Sequence, residues 1–224
     1  AYDDEHYATA LKELEPLAEQ GDATAQYYIG AMYDEGLGVA IDHAKAFAWY
    51  LKSAEQGKFE TQFNVGLMYE KGEGVSQNLN KAIEWYKKAI DNGDDGDSQN
   101  NLGLLYLEGY STQKKDGQTI PVDYVQALHW FKIAAIEYDD PEAQVSLGYM
   151  YSNGFGVAQS STNALKYYRL AAMQDNAGGQ YNLGLMYQNG EGVAKNLKTA
   201  LSWYKKAAAN GDEDAIQAIK DLKK

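Results

Sequence analysis

Cysteine is absent from this chain, which excludes a disulfide framework, a thiol nucleophile and a zinc–thiolate site. Proline is scarce, with three residues, while hydrophobic residues make up 45% of the chain. That is not the composition of a disordered segment. No apolar run approaches the roughly 18 residues that span a bilayer, so no membrane insertion is expected. Cations are outnumbered: 20 Lys and Arg stand against 32 Asp and Glu, for a formal charge of −12. Nucleic acid and anionic lipid surfaces need concentrated Lys and Arg, and are excluded as partners on that ground. A basic protein or peptide would instead be steered toward the chain by its field. The first residue is Ala1 and not methionine, which fits cleavage of a signal peptide after a small residue or a trimmed chain. The reading adopted is periplasmic or secreted, with the cytoplasm left open.

What is present is a repeat. Five segments align: AQYYIGAMYDEGLGV (25–39), TQFNVGLMYEKGEGV (61–75), SQNNLGLLYLEG (98–109), AQVSLGYMYSNGFGV (143–157) and GQYNLGLMYQNGEGV (179–193). Their central glycines, Gly30, Gly66, Gly103, Gly148 and Gly184, are spaced by 36, 37, 45 and 36 residues. Each segment is followed by another, such as KAIEWYKKAIDNG (81–93) or TALSWYKKAAANG (199–211). Thr61, Val65, Met68 and Tyr69 fall at i, i+4, i+7 and i+8, and Ala82, Trp85, Tyr86 and Ala89 at i, i+3, i+4 and i+7. Both halves therefore predict amphipathic helices.

A glycine inside a helix costs about 1 kcal/mol relative to alanine. Its recurrence in five units predicts a neighbouring helix too close for a Cβ. Gly57, Gly93 and Gly211 are expected to close the second helices, and the G-x-G-V turn (Gly72, Gly74, Val75) to reverse the chain. One such hairpin cannot bury its apolar faces alone, whereas stacked hairpins share a core. The expected fold class is all-α: an α-solenoid of antiparallel helix pairs.

The pattern A-Q-x-x-L-G-x-x-Y-x-x-G-x-G-V followed by K-A-x-x-W-Y-x-x-A-A-x-x-G resembles the Sel-one-like repeat (SLR) family, a relative of the tetratricopeptide repeat with a longer turn. The resemblance covers nearly the whole chain. It implies a right-handed superhelix with its concave face lined by the first helices, and an adaptor or scaffold role in proteins that are often bacterial and exported. The lack of cysteine sets the chain apart from the disulfide-bearing branch.

One SLR solenoid is expected over residues 1–224, with repeats at about 22–57, 58–93, 94–138, 139–175 and 176–211. Residues 5–21 read as an N-terminal capping helix, with Tyr7, Ala10, Leu11, Leu14 and Ala18 inward and a bend at Pro16. Residues 212–224 read as a C-terminal capping helix, with Ala215, Ile219 and Leu222 inward and Lys220, Lys223 and Lys224 at its negative end. Two caps predict a complete, monomeric array. The third unit gains about eight residues between Gly109 and Asp123 and loses the G-x-G-V turn. A tolerated surface insertion is the reading preferred over a recognition loop carrying Lys114 and Lys115.

Catalytic patterns are lacking. His6, His43 and His129 occupy different repeat positions and cannot share a metal on one helix face. No nucleophile and base stand at a workable spacing for hydrolysis. No cofactor is expected, and an enzyme is not. The four tryptophans, Trp49, Trp85, Trp130 and Trp203, sit in equivalent slots and read as packing, as do Tyr33, Tyr69, Tyr106, Tyr151 and Tyr187.

A second apolar face runs along each first helix, three residues before and one after the central glycine. The candidate partner-binding residues are Tyr27, Phe63, Leu67, Asn100, Leu104, Val145, Tyr149, Tyr181 and Leu185, with Asp34 and Glu70 as acidic margins. A helix apolar on two faces either buries both or presents one to a partner. This face carries no Lys or Arg, so a clamp for acidic C-terminal peptides is not expected. The function read from these features is an adaptor binding a protein or peptide, a basic one being favoured by charge. The alternative is an envelope factor that binds cell-wall glycan or modulates a cell-wall enzyme, since aromatic rings stack on sugars too.

Overall fold

In the computed structural model, residues 2–94, 96–111 and 119–222 are described, with side chains for all of these except 2–5, 110–111 and 119–120. Twelve helices account for most of them: α1 (Tyr2–Glu19), α2 (Ala23–Glu35), α3 (His43–Ala54), α4 (Phe59–Lys71), α5 (Leu79–Asp91), α6 (Asp97–Glu108), α7 (Tyr124–Glu137), α8 (Pro141–Asn153), α9 (Ser161–Met173), α10 (Ala177–Asn189), α11 (Leu197–Ala209) and α12 (Glu213–Asp221). Two-residue strands β1 (Tyr110–Ser111) and β2 (Thr119–Ile120) form a ribbon in the long connection of the third repeat. Lys114, Lys115, Lys223 and Lys224 lie outside the described residues. Helix α1 runs through Pro16 to Glu19.

Local chemistry sets the helix starts. Asp22, Asp42, Asn78, Asp123, Asp140, Ser160, Asn176, Asn196 and Asp212 each occupy an N-cap and accept a backbone N–H from the first turn. Such a cap is worth about 1 kcal/mol. Helix α4 departs from the rule, with Lys58 at its N-cap and no side-chain cap bond. First helices stop where a glycine enters the left-handed region, as Gly72 does at φ 75°, its N–H bonding the Met68 carbonyl. Two residues on, a Cβ at Gly74 would collide with the backbone of His43 and Ala44 at the start of α3.

One hydrogen bond closes every hairpin. The N-cap residue of the second helix donates its N–H to the carbonyl of the first-helix tyrosine: Asp42 to Tyr33, Asn78 to Tyr69, Asp123 to Tyr106, Ser160 to Tyr151 and Asn196 to Tyr187, all at 2.8 Å. The third hairpin keeps this closure despite its longer connection, because the insertion lies between the two bonded residues.

The chain divides into two compact units, Ala1–Ser98 with Ser111–Ile120, and Gln99–Tyr110 with Pro121–Lys224. In the first, α1 to α5 pack in succession. Leu11, Ala18, Ala25, Ile29 and Met32 form a core cluster there, edged by Leu14 and Trp49. In the second, α7 to α12 pack in succession, and Leu147, Leu183 and Tyr204 are fully buried. At the last helix, Ala215 is buried and Ile219 and Leu222 edge the same cluster as Tyr204.

The recurring glutamine is buried in every repeat, at Gln26, Gln62, Gln99, Gln144 and Gln180. Buried amides need partners, and these find them. Gln62 donates to the Ala54 carbonyl at 3.0 Å and accepts from the Asn92 amide at 3.0 Å. Gln26 does the same with Ala18 and Gln56, and Gln180 accepts from Asn210 at 3.1 Å. The amide thus ties the end of one second helix to the end of the next.

Candidate functional site

Each first helix is held against its partner by the contact at the central glycine. A Cβ there would stand 2.5 Å from the Tyr50 ring at Gly30, 2.8 Å from Tyr86 at Gly66, 2.5 Å from Phe131 at Gly103, 2.7 Å from Tyr168 at Gly148 and 2.6 Å from Tyr204 at Gly184. The close neighbour is a ring, and it belongs to the residue after the tryptophan slot. The tryptophans themselves are only half-buried. Lys52 covers Trp49 with its ammonium 3.9 Å from the ring centroid, as Lys88 does Trp85 at 3.9 Å and Lys206 Trp203 at 4.3 Å. Tyr69, read as packing, is buried at 8% exposure.

Burial pushes three of the phenols opposite the glycines up from their ordinary range, Tyr204 to about 12. Tyr50 and Tyr168 are raised further, again by burial first, then by Asp34 beside Tyr50 and by Tyr149 and Glu191 beside Tyr168. Hydroxyls that reach the rim find acceptors. Tyr86 donates to Glu70 at 2.5 Å, and Tyr204 to Gln188 at 2.8 Å.

The candidate residues lie on the flank of these buried rings. In the first unit, Tyr27, Phe63 and Leu67 are half-buried. The Tyr27 ring lies 6.1 Å from Tyr50 and the Phe63 ring 5.8 Å from Tyr86. Tyr27 also meets the exposed Tyr28 edge-on at 5.2 Å. Asp34 pairs with Nδ1 of His43 at 2.8 Å, and Glu70 holds the Tyr86 hydroxyl. Both proposed acidic margins are therefore engaged within their own hairpins. In the second unit, Asn100, Leu104 and Val145 are half-buried, Leu104 against the Phe131 cluster and Val145 against the Tyr168 cluster. Tyr149 is 45% exposed and meets the Phe155 ring edge-on at 5.7 Å. Tyr181 and Leu185 edge the cluster around Tyr204, the Tyr181 ring 5.7 Å from it.

Two clefts open on this face. One, of about 420 Å³ in the first unit, brings Tyr27 and Phe63 together with Phe59, Glu60, Asp94 and Asp97. The other, of about 320 Å³ in the second unit, joins Tyr181 and Leu185 to Asp214 and Asp221 of α12. Burial raises the Tyr181 phenol first, and the Asp214 and Asp212 carboxylates add to it. The acidic groups of the clefts are thus not the ones the repeat alignment singled out. Glu60, Asp94, Asp97 and Asp214 sit at or just before helix starts and Asp221 at the end of α12. Glu60 and Phe63 share a face at i, i+3, a spacing that could have been read from the sequence. Among the described residues no group of three His, Asp or Glu could hold a metal ion, and no helix is long and apolar enough to cross a membrane.

The family model for the Sel1 repeat matches residues 23–58, 60–94, 96–138, 141–176 and 177–212. Comparison with curated proteins found no match. Among solved structures, a Sel1 repeat protein from Oxalobacter formigenes is 36% identical over 100% of this chain and 85% of its own, with a TM-score of 0.85. The protein c5321, a protective antigen in uropathogenic Escherichia coli strains with an SLR fold, is 32% identical over 92% of this chain and 42% of its own, at 0.79. The immunity protein Pa5087 from Pseudomonas aeruginosa, 24% identical over 86% of this chain and 67% of its own, shares the fold at 0.55. With five successive matches and a full-length relative above 30% identity, this chain belongs to the Sel1 repeat family, whose members generally mediate contacts between proteins.

Proposed function

We propose that this chain is an adaptor that binds a protein or peptide partner through the outward face of its first helices, without chemistry of its own. The observation that carries the reading is the two-sidedness of those helices. One face closes on a buried ring at the glycine, while the other leaves Tyr27, Phe63 and Tyr181, three residues before the glycine, and Tyr149, one after it, half-buried or exposed. Partly exposed aromatic side chains on a rigid helical scaffold make anchors, because they bury large area with few rotamers to fix. The charge of −12 favours a basic partner. A periplasmic or secreted location belongs to the same proposal, supported by the likeness to a protective antigen.

The test is affinity capture of the intact chain from its native cell, followed by binding curves for the captured partner. F63A and Y149A should each weaken binding by about 1–2 kcal/mol or more. Full-strength binding by both, with folding intact, would place recognition elsewhere, the 110–122 connection being the next place to look.

A further inference from the structure

In a repeat protein, positions that only build the fold recur from unit to unit, and a departure from the recurring residue marks a position under another demand. Such departures gather at the start of α4. The N-caps of the first helices α2, α8 and α10 are Asp22, Asp140 and Asn176, and that of the terminal helix α12 is Asp212; here the position is Lys58, and the cap bond is lost. The next two residues are Phe59 and Glu60, where the first, fourth and fifth repeats have Ala23 and Thr24, Pro141 and Glu142, and Ala177 and Gly178. Lys58 and Phe59 are the departures, whereas Glu60 has a counterpart in Glu142 of the fourth repeat. Phe59 and Glu60 line the cleft of the first unit, with Lys58 beside them. Phe59 adds a third aromatic ring to Tyr27 and Phe63, and Glu60 adds a carboxylate to Asp94 and Asp97. Lys58 holds its ammonium 5.5 Å over the Tyr27 ring and 3.3 Å from Glu60. The chain's own lysine therefore already makes, at the rim, the two contacts that a cation entering the cleft would make.

Resting on the adaptor reading, we propose that this cleft receives an arginine or lysine side chain of the partner polypeptide, and that Lys58 is the resident cation it displaces. The aliphatic stem of the incoming side chain lies on Phe59 and Phe63, and its head replaces the Lys58 ammonium between the Tyr27 ring and the carboxylates. Aromatic faces attract a cation through their quadrupole, and the carboxylates add charge and hydrogen-bond acceptors. A carboxylate-bearing side chain would meet the same groups with repulsion, so the cleft selects by sign.

The probe is a fluorescent peptide of alternating Arg and Ala, with a Glu–Ala peptide as control, followed by anisotropy at moderate salt and by amide and aromatic NMR shifts on the whole chain. The basic peptide should bind, with shifts at Tyr27, Phe59 and Phe63, and the acidic one should not. E60Q with D97N should weaken the basic peptide by about tenfold, in line with the loss of charge-assisted contacts. K58M, which keeps the stem and removes the charge, should tighten it by about threefold or more, because a competitor is gone. Melting curves for each variant establish that the fold survives. An unchanged or weaker affinity in K58M, or full affinity in E60Q with D97N, overturns the cleft assignment. If the basic peptide instead shifts Tyr149 or Tyr181, the cleft proposal fails and the first-helix reading stands. If F63A, Y149A and Y181A all bind the captured native partner at full strength, that reading fails with it.

Discussion

Trp85 and Tyr86 are neighbours in sequence and opposites in surroundings. Tyr86 is fully buried, its ring filling the space that a Cβ at Gly66 would need. Trp85 is half-buried on the other flank of α5, roofed by the Lys88 ammonium. Tryptophan is the more conspicuous letter, recurring in four of five repeats. The core position is nevertheless the next one, where Tyr50, Tyr86, Phe131, Tyr168 and Tyr204 alternate between two similar rings. A helix turns 100° per residue, so adjacent residues of one stripe can face the partner helix and the outer surface respectively.

The largest expected effect separates the two. Y86A should destabilise by about 3–5 kcal/mol, as removal of a buried aromatic ring does. W85A should cost less, about 1–2 kcal/mol, since only part of its area leaves water on folding. Urea unfolding of both variants measures this, and equal losses would mean that Trp85 is as much core as its neighbour. Repeat proteins need not unfold in a single step, so the comparison is best made on the earliest transition. G66V attacks the same contact from the other side. Two atoms of the Tyr86 ring stand 2.8 Å from where the new Cβ would sit, so overpacking by about 1–3 kcal/mol is expected.

The Gln62 amide comes next. Q62A removes one hydrogen bond each from the Ala54 carbonyl, which keeps the Gly57 N–H, and from the Asn92 amide, which keeps the Lys88 carbonyl. A loss of about 1–2 kcal/mol is expected from two ordinary hydrogen bonds. Restoration of stability in Q62A by a second change at Asn92 to alanine would show that the loss comes from this pair.

Much of this was legible in the sequence. The five glycines, their spacing and the two helical stripes per repeat give the hairpins directly, because a glycine recurring in mid-helix has few explanations other than a close neighbour. Which ring fills the gap was not legible: Trp85 and Tyr86 both lie on the apolar stripe, and periodicity does not resolve a turn of one residue. The surroundings of the candidate residues were less legible. Asp34 and Glu70 were picked by their register on the first helices, but Asp34 pairs with His43 and Glu70 binds the Tyr86 hydroxyl. Their partners lie 9 and 16 residues away, beyond any spacing rule for one helix. Glu60 and Asp97 were overlooked for the opposite reason, since residues at helix starts fall outside the repeat's recurring core.

The buried phenols add a pH dependence. Tyr204 titrates at about 12 in the fold, against about 10 in an unfolded chain. The fold holds the neutral form, so its stabilising contribution is complete below pH 10. It is lost as pH rises from there through 12, because the unfolded chain ionises first. Denaturation midpoints should therefore fall across that interval. Y204F should flatten part of the fall, and an identical alkaline slope in the variant would show that other groups set it.

The smallest effect on stability is expected on the outward face, and it decides whether that face is a site. Phe63 is half-buried beside Tyr86, whereas Tyr149 is 45% exposed and meets the Phe155 ring edge-on. Area removed from water scales the loss, so Y149A should shift the melting midpoint least, by under about 1 kcal/mol, and F63A somewhat more. Against Y86A both should be minor. The two kinds of ring differ in what a partner would gain from them. A ring already sealed against Gly66 has no surface left to offer, whereas a half-exposed one still has area to bury on binding. If F63A melts as early as Y86A, the flank of the buried ring is core and the outward face has no anchor there. If F63A and Y149A melt near the parent and lose the captured partner, the two faces of the first helix divide the work, one closing the hairpin and the other meeting the partner.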